Sequence, residues 1–286
     1  RGSWSQPRRA TRRLEGAATP MPRFAANLST MFTELDFLER FRGAANCGFG
    51  AVEFQFPYQW RIGEIAERLF ANGLELVLFN VPPGDLVAGE RGLGAVPGRE
   101  EDFRDGVRRS LDYAETLRCP RLHVMAGMLG ADGNAAAAHV CFIDNLRWAA
   151  AECARRGVRA LIEPINTRHD MPGYFLDTID QARAIMDEVA SDNLFLQFDL
   201  YHRQIMGGNL AAELEEALPL IDHIQIAGVP GRHEPDNGEI NYPYLFNLLD
   251  SLGYRGWVGC EYSPAGATRD GMAWAFDYGI SGHGGG

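Results

Sequence analysis

The chain has 286 residues, of which 46% are hydrophobic and 23% charged, and its formal net charge is −11. That composition is ordinary for a globular protein and the length suits one (β/α)8 barrel of about 250 residues, while no apolar run approaches the ~20 residues of a membrane span. The acidic balance argues against nucleic-acid binding and against broad electrostatic capture of anions, so a small anionic substrate needs a metal ion or a local arginine.

Residues 1–20 hold Arg1, Arg8, Arg9, Arg12 and Arg13 against Glu15 and read as a disordered or non-native leader. Residues 21–278 read as a single barrel domain, and the Gly-rich stretch 279–286 as a flexible tail. From Phe24 onward, short apolar runs alternate with longer amphipathic ones. The predicted strands are FAANL ending near Asn27, AVEF around Glu53, LELVLFN ending at Asn80 and RLHVMAG around His123; ALIEP, FLQFD, HIQIA and GCEY follow. Helical spacing recurs at Phe37, Leu38, Phe41 and Ala45, at Phe103, Val107, Leu111 and Ala114, and at Phe142, Leu146 and Ala149. Later helices are predicted to begin near Asp177, Asn209, Tyr242 and Thr268. Eight strand runs separated by helices, with no linker to divide them, predict an α/β fold of the TIM-barrel type.

The connection from Val81 to Glu100 is rich in proline and glycine and is long for a strand-to-helix turn, so it is expected to lie over the active-site end as a lid. Its Gly92, Gly94 and Gly98 follow GxGxxxG with Pro97 inside, which is not a dinucleotide fingerprint. The five cysteines, Cys47, Cys119, Cys141, Cys153 and Cys260, are scattered without a CxxC pair. They suggest reduced thiols and a cytoplasmic setting.

Four of the strands end on one polar side chain each: Glu163, Asp199, Gln225 and Glu261, at intervals of 36, 26 and 36 residues. Each interval fits one strand, helix and two loops, so the four side chains converge on one end of a parallel barrel. Such a set of oxygen donors suits a hard divalent cation, Mg2+ or Mn2+. A carboxylate within an apolar strand is costly unless it is paired or bound to metal. Taken singly, each would pass for a rim salt bridge; four in consecutive units argue for a shared site. Glu163 and Glu261 also suit proton transfer at a carbon beside a carbonyl, one taking and the other returning the proton. His202, three residues after Asp199, reads equally as a ligand to a substrate oxygen or as loop packing. Arg232 stands where a substrate carboxylate or hydroxyl could be clamped, with a solvated loop arginine as the alternative. His123 is expected to fill the barrel interior.

RFAANLS at Arg23 to Ser29, AVEFQFPY at Ala51 to Tyr58, IEPIN at Ile162 to Asn166, HIQIAGVPGRHEP at His223 to Pro235 and GWVGCEY at Gly256 to Tyr262 closely resemble the hydroxypyruvate isomerase family. The resemblance runs from Arg23 to Asp277. It implies a xylose isomerase-like TIM barrel, Glu163 and Glu261 as the catalytic pair, and Glu163, Asp199, Gln225 and Glu261 as metal positions, without making the metal strictly required. The implied reaction interconverts hydroxypyruvate and 2-hydroxy-3-oxopropanoate (tartronate semialdehyde) through a cis-enediolate, with a small hydroxy-carbonyl acid as the partner; a homo-oligomer is compatible with the sequence, which does not fix the oligomeric state. RFAANLSTMFTE and AGVPGRHEPDNGEINYP also resemble 2-oxotetronate isomerases, and related ketose 3-epimerases carry histidine where Gln225 stands. The stretch Gly127 to Val140 is shorter than is usual in the family. Superfamily endonucleases need a histidine-rich zinc site, which this pattern lacks; a non-catalytic sugar-binding barrel would leave the two glutamates without a task.

Overall fold

The structure, a computed structural model, describes residues 22–129 and 133–281. The expected leader, most of the expected tail and the centre of the shortened 127–140 stretch lie outside the described residues. Eight parallel strands close on themselves in sequence order. They are β1 (Arg23–Asn27), β2 (Ala51–Phe54), β3 (Glu75–Asn80), β4 (Arg121–His123), β5 (Arg159–Ile162), β6 (Leu194–Asp199), β7 (Ile221–Ile226) and β8 (Trp257–Cys260). The ring closes where β1 pairs with β8, Phe24 against Val258 and Ala26 against Cys260.

Period-two alternation sorts most of the strands between two environments, β3 being the exception where the β2–β3 register shifts. Phe24, Ala26, Val52, Ile162, Leu196, Phe198, Ile224, Val258 and Cys260 belong to the large apolar cluster. The residues between them face the barrel axis. Ala25, Ala51, Val77, Leu78 and Leu161, with Phe195 and Trp257 beside them, form a small apolar cluster. Two residues further along the same faces stand Asn27, Glu53, Glu163, Gln197 and Gly259, so the interior changes from apolar to polar toward the strands' C-terminal ends.

The helices are α1 (Phe37–Asn46), α2 (Ile62–Asn72), α3 (Glu100–Leu117), α4 (Ala135–Arg155), α5 (Ile179–Val189), α6 (Leu200–Met206), α7 (Leu210–Ala217) and α8 (Tyr242–Ser251). Some of their starts carry side-chain caps: Thr178 accepts from Gln181 N and Asn241 from Tyr244 N, satisfying amides that the helix leaves open. Gly73 ends α2 in the left-handed conformation at φ 63°. The helix predicted near Thr268 is instead a 3-10 segment, Thr268–Tyr278. It is held by its docking: Thr268 Oγ1 accepts from Phe32 N at 2.6 Å, and Trp274 and Tyr278 pack edge-on against Phe24. No described helix is long and apolar enough to cross a membrane.

Candidate active site

Strand ends deliver the polar cluster. Glu163 directly follows β5, Asp199 ends β6, and Glu261 directly follows β8. Donor atoms of Glu163, Asp199, His202 and Glu261 all lie within 4.8 Å of one another, and all four residues are buried. Asp199 also caps α6: its Oδ1 accepts from Tyr201 N at 2.8 Å, which leaves Oδ2 for the site. Asp199 Oδ2 and Glu163 Oε1 are buried and have no hydrogen-bond partner. Buried acceptors without partners are costly, and oxygen atoms so placed fit a divalent ion. Glu163, Asp199 and Glu261 are therefore matched to that group.

Gln225 pairs in register with Asp199 across β6 and β7. Its Oε1 accepts from Gln197 Nε2 at 2.6 Å, and its Nε2 donates to Glu53 Oε1 at 2.7 Å. Gln197 Nε2 also donates to Glu163 Oε2 at 3.0 Å, so one amide ties β5 and β7 through β6. His202 lies on α6, not on a loop. Asn166 Nδ2 donates to His202 Nδ1 at 2.7 Å, which places the proton of a neutral imidazole on Nε2, 3.6 Å from Asp199 Oδ2 and 3.9 Å from Glu163 Oε1. His123 Nδ1 is 3.5 Å from Glu163 Oε2.

Arg232, with φ at 54°, projects from the loop after β7. Its Nη2 donates to Glu261 Oε2 at 2.7 Å, its Nη1 to Asp170 Oδ2 at 2.9 Å and its Nε to the Glu261 carbonyl at 3.4 Å. All three nitrogens are thus engaged with protein oxygen atoms. The left-handed backbone is unusual for a side chain this large and aims the guanidinium at the carboxylates.

Burial sets the electrostatics. It raises Glu163 well above the usual carboxylate range, and the neighbouring Glu261 and Asp199 charges push it further. Asp199 is pushed up to about 7 by burial, against the pull of Arg232. Glu261 is also raised by burial, with Arg232 opposing. Burial lowers His202 well below its ordinary value, with Arg232 adding to the effect, and it takes His123 down to about 3. Burial thus favours the neutral form of both imidazoles and of the clustered carboxyls. That is the pattern expected of acid-base groups.

Above the cluster is a cavity of about 300 Å³ lined by Gln55, Asn80, Leu86, Arg91, His123, Glu163, His202, Arg232 and Glu261. Leu86 and Arg91 come from the predicted lid, which does lie over the mouth. A larger cavity, about 580 Å³, is lined by Leu69, Phe70, Leu74, Leu76 and Trp257, with Glu75 its one carboxylate. It lies at the strands' N-terminal ends and has no convergent acid-base groups. Chemistry, not volume, picks the site.

The xylose isomerase-like TIM barrel family matches residues 41–278. The chain belongs to that family. It is 55% identical to the 2-oxo-tetronate isomerase of Cupriavidus necator over 90% of this chain and 99% of that protein. It is 45% identical to the hydroxypyruvate isomerase of Escherichia coli, over 90% of this chain and all of that protein, which is covered at 100%. A crystal structure from Brucella melitensis, described as AP endonuclease, family 2, superposes with a TM-score of 0.88 at 53% identity; the match covers 90% of this chain and 99% of that one.

Several residues of this xylose isomerase-like site carry no signal of their own in the sequence. Glu53 accepts from Asn27 Nδ2 at 3.0 Å and faces His223 Nε2 at 2.6 Å, while Asn27 Nδ2 also reaches Glu261 Oε1 at 3.1 Å. Gln55 Nε2 donates to the same Glu261 oxygen at 3.2 Å. Strand alternation was the available clue: His223 stands two residues before Gln225 and Gln197 two before Asp199, on the same inward face.

Proposed function

We propose that the protein is a hydroxypyruvate isomerase, an aldose-ketose isomerase that interconverts hydroxypyruvate and 2-hydroxy-3-oxopropanoate by proton transfer through a cis-enediolate. The observation that carries this reading is the pair of buried carboxyls, Glu163 and Glu261, facing one small cavity in unlike surroundings. Glu261 has Arg232 at 2.7 Å to support its anion, whereas Glu163 Oε1 is unpartnered and its carboxyl retains a proton more readily. Glu261 takes the proton from C3 of hydroxypyruvate, and Glu163 returns one at C2. His202 gives its Nε2 proton to the C2 oxygen and takes the C3 hydroxyl proton. Arg232 holds Glu261 in the orientation that faces the substrate, and His202 orients the substrate through its oxygens. Glu163, Asp199 and Glu261, with the second lone pair of Gln225 Oε1, would hold Mg2+ or Mn2+. Bound there, the ion supplies charge neutralisation for the two adjacent substrate oxygens.

The test is isomerisation in deuterated water. Product should carry deuterium at C2 and recovered substrate at C3; full retention of the original hydrogen would rule out proton transfer. Failure to interconvert the two compounds at all would remove the isomerase reading.

A second substrate is favoured by the relative at 55% identity: 2-oxotetronate, one carbon longer. Comparing kcat/KM for the two acids decides between them. The five cysteines are all free and buried, which supports a cytoplasmic, reducing setting.

A further inference from the structure

A substrate carboxylate entering this cavity meets Glu163 and Glu261 at close range. It needs a cation whose charge is not already spent. Two arginines line the cavity, Arg91 and Arg232. Arg232 is committed to Glu261 and Asp170. Arg91 differs: its Nη1 donates to two carbonyl oxygens, those of Leu86 at 3.2 Å and Glu90 at 2.7 Å, and among the described residues it forms no ion pair within 4.0 Å. The nearest carboxylate in sequence, Glu90, is occupied by Arg99 and by the amide of Asp85. Arg91 therefore brings an uncompensated positive charge, half-buried, to the wall of an acidic pocket.

Its backbone is held firmly although it belongs to the lid. Gly92 bridges to Ala126 beyond β4, its amide donates to Pro83 O at 2.8 Å, and Ala95 N donates to Ala126 O at 2.6 Å. Gly92 has φ at 111°, and a Cβ there would lie 2.7 Å from Met125 O, so the chain is pressed onto the strand end beside Arg91. The exposed part of the lid is the tip, where Val87 is 98% accessible. Arg91 follows β3 and Arg232 follows β7, strands that stand across the ring from one another. The free guanidinium thus enters from the side opposite the one that neutralises Glu261.

We propose that Arg91 binds the substrate carboxylate and selects 2-oxo acids over neutral hydroxy-carbonyl compounds that react by the same proton transfer. The assignment rests on the isomerase reading for its substrate class. It places the reacting carbons between a carboxylate anchor on the lid and the proton-transfer pair on the strand ends.

Arg91→Met and Arg91→Lys test it with hydroxypyruvate and with dihydroxyacetone, in which a hydroxymethyl group replaces the carboxylate. Arg91→Met should lower the ratio of kcat/KM for hydroxypyruvate over dihydroxyacetone by about 10-fold to 100-fold, and Arg91→Lys should recover part of it without the bidentate fit. Calorimetric titration of D-glycerate, which carries the carboxylate but cannot isomerise, should weaken by a similar factor in Arg91→Met. Equal D-glycerate affinity in wild type and variant, or no binding by either, overturns the proposal, as does an unmoved substrate ratio. The two readings fail separately. A wild type that isomerises no 2-oxo acid but loses D-glycerate on Arg91→Met sinks the isomerase and keeps the anion site; equal kcat/KM for hydroxypyruvate in both proteins does the reverse.

Discussion

The outer and inner faces of the same strands obey opposite rules. On β6, Leu196 and Phe198 are buried in the large apolar cluster, while Gln197 and Asp199, one residue away, face a polar interior. On β7, Ile224 and Ile226 point outward and His223 and Gln225 inward. The outer face gains from burial. The inner face loses, because each polar atom leaves water and must find a partner. Glu163 Oε1 and Asp199 Oδ2 are among the inner-face atoms that find none, and both belong to the proposed acid-base cluster. The barrel's stability and its reactivity are thus separated by a single step along the chain.

The largest effects should separate along that division. Glu163→Gln and Glu261→Gln keep size and a carbonyl oxygen but cannot accept the proton, so each should lower kcat by about 100-fold to 10,000-fold. Their thermal midpoints should stay near the wild-type value, since an amide is less costly to bury than a carboxylate. Phe198→Ala, between Gln197 and Asp199, should do the opposite. It should cost about 3–5 kcal/mol in denaturant unfolding while the folded fraction keeps its kcat. Near-normal turnover in either glutamine variant, or a Phe198→Ala protein that is stable but inactive, would dissolve the division.

The outer face is also the more legible one. All eight strands and the mouth residues Glu163, Asp199 and Glu261 can be read from apolar runs that stop on an acidic side chain, since strand period and barrel repeat fix their direction together. Helix α2 is legible too: Ile62, Ile65 and Leu69 have helical spacing and Gly73 stops the run. Helix α6 was not legible, because its seven residues bury His202 and Arg203 along with Leu200 and Tyr201 and so show no amphipathic period. Glu53 was hidden for another reason. Its partner His223 is 170 residues away, and a lone carboxylate in AVEF has the same local pattern as a rim salt bridge. Arg91 sits in a loop whose path is set by contacts with the end of β4, which local spacing does not encode.

A smaller test sharpens the inner-face rule. Gly259 faces inward on β8, and a Cβ there would overlap the Glu53 carboxylate. Glu53 cannot swing aside easily, being held by His223 at 2.6 Å, Gln225 at 2.7 Å and Asn27 at 3.0 Å. Gly259→Ala should therefore cost about 1–3 kcal/mol, and kcat should fall as Asn27 and Gln225 are displaced from their partners. Gly50→Ala, where an added Cβ meets nothing within 4 Å, is the control. Equal stability and activity in the two variants would show that the Glu53 network is not rigid.

The smallest effect tests whether burial itself holds protons on the inner face. Asp199 has an ordinary pKa of 3.8 and is raised to about 7 in the folded protein. Between those values the folded chain binds more protons at this site than the unfolded one. Stability contributed by the raised carboxyl is therefore full below pH 3.8 and lost as pH rises through about 7. Asp199→Asn removes that titration. In chelator-treated protein, the thermal midpoint of wild type should fall more steeply between about pH 5 and pH 8 than that of Asp199→Asn, by an amount worth roughly 1–2 kcal/mol. Adding Mg2+ or Mn2+ should flatten the wild-type slope, because an ion favours the deprotonated ligands and binds only the folded chain. Parallel slopes for the two proteins would mean that Asp199 is ionised throughout. The unpartnered Oδ2 would then carry a full charge, and Arg232, 3.9 Å away, would be its counterion without any metal.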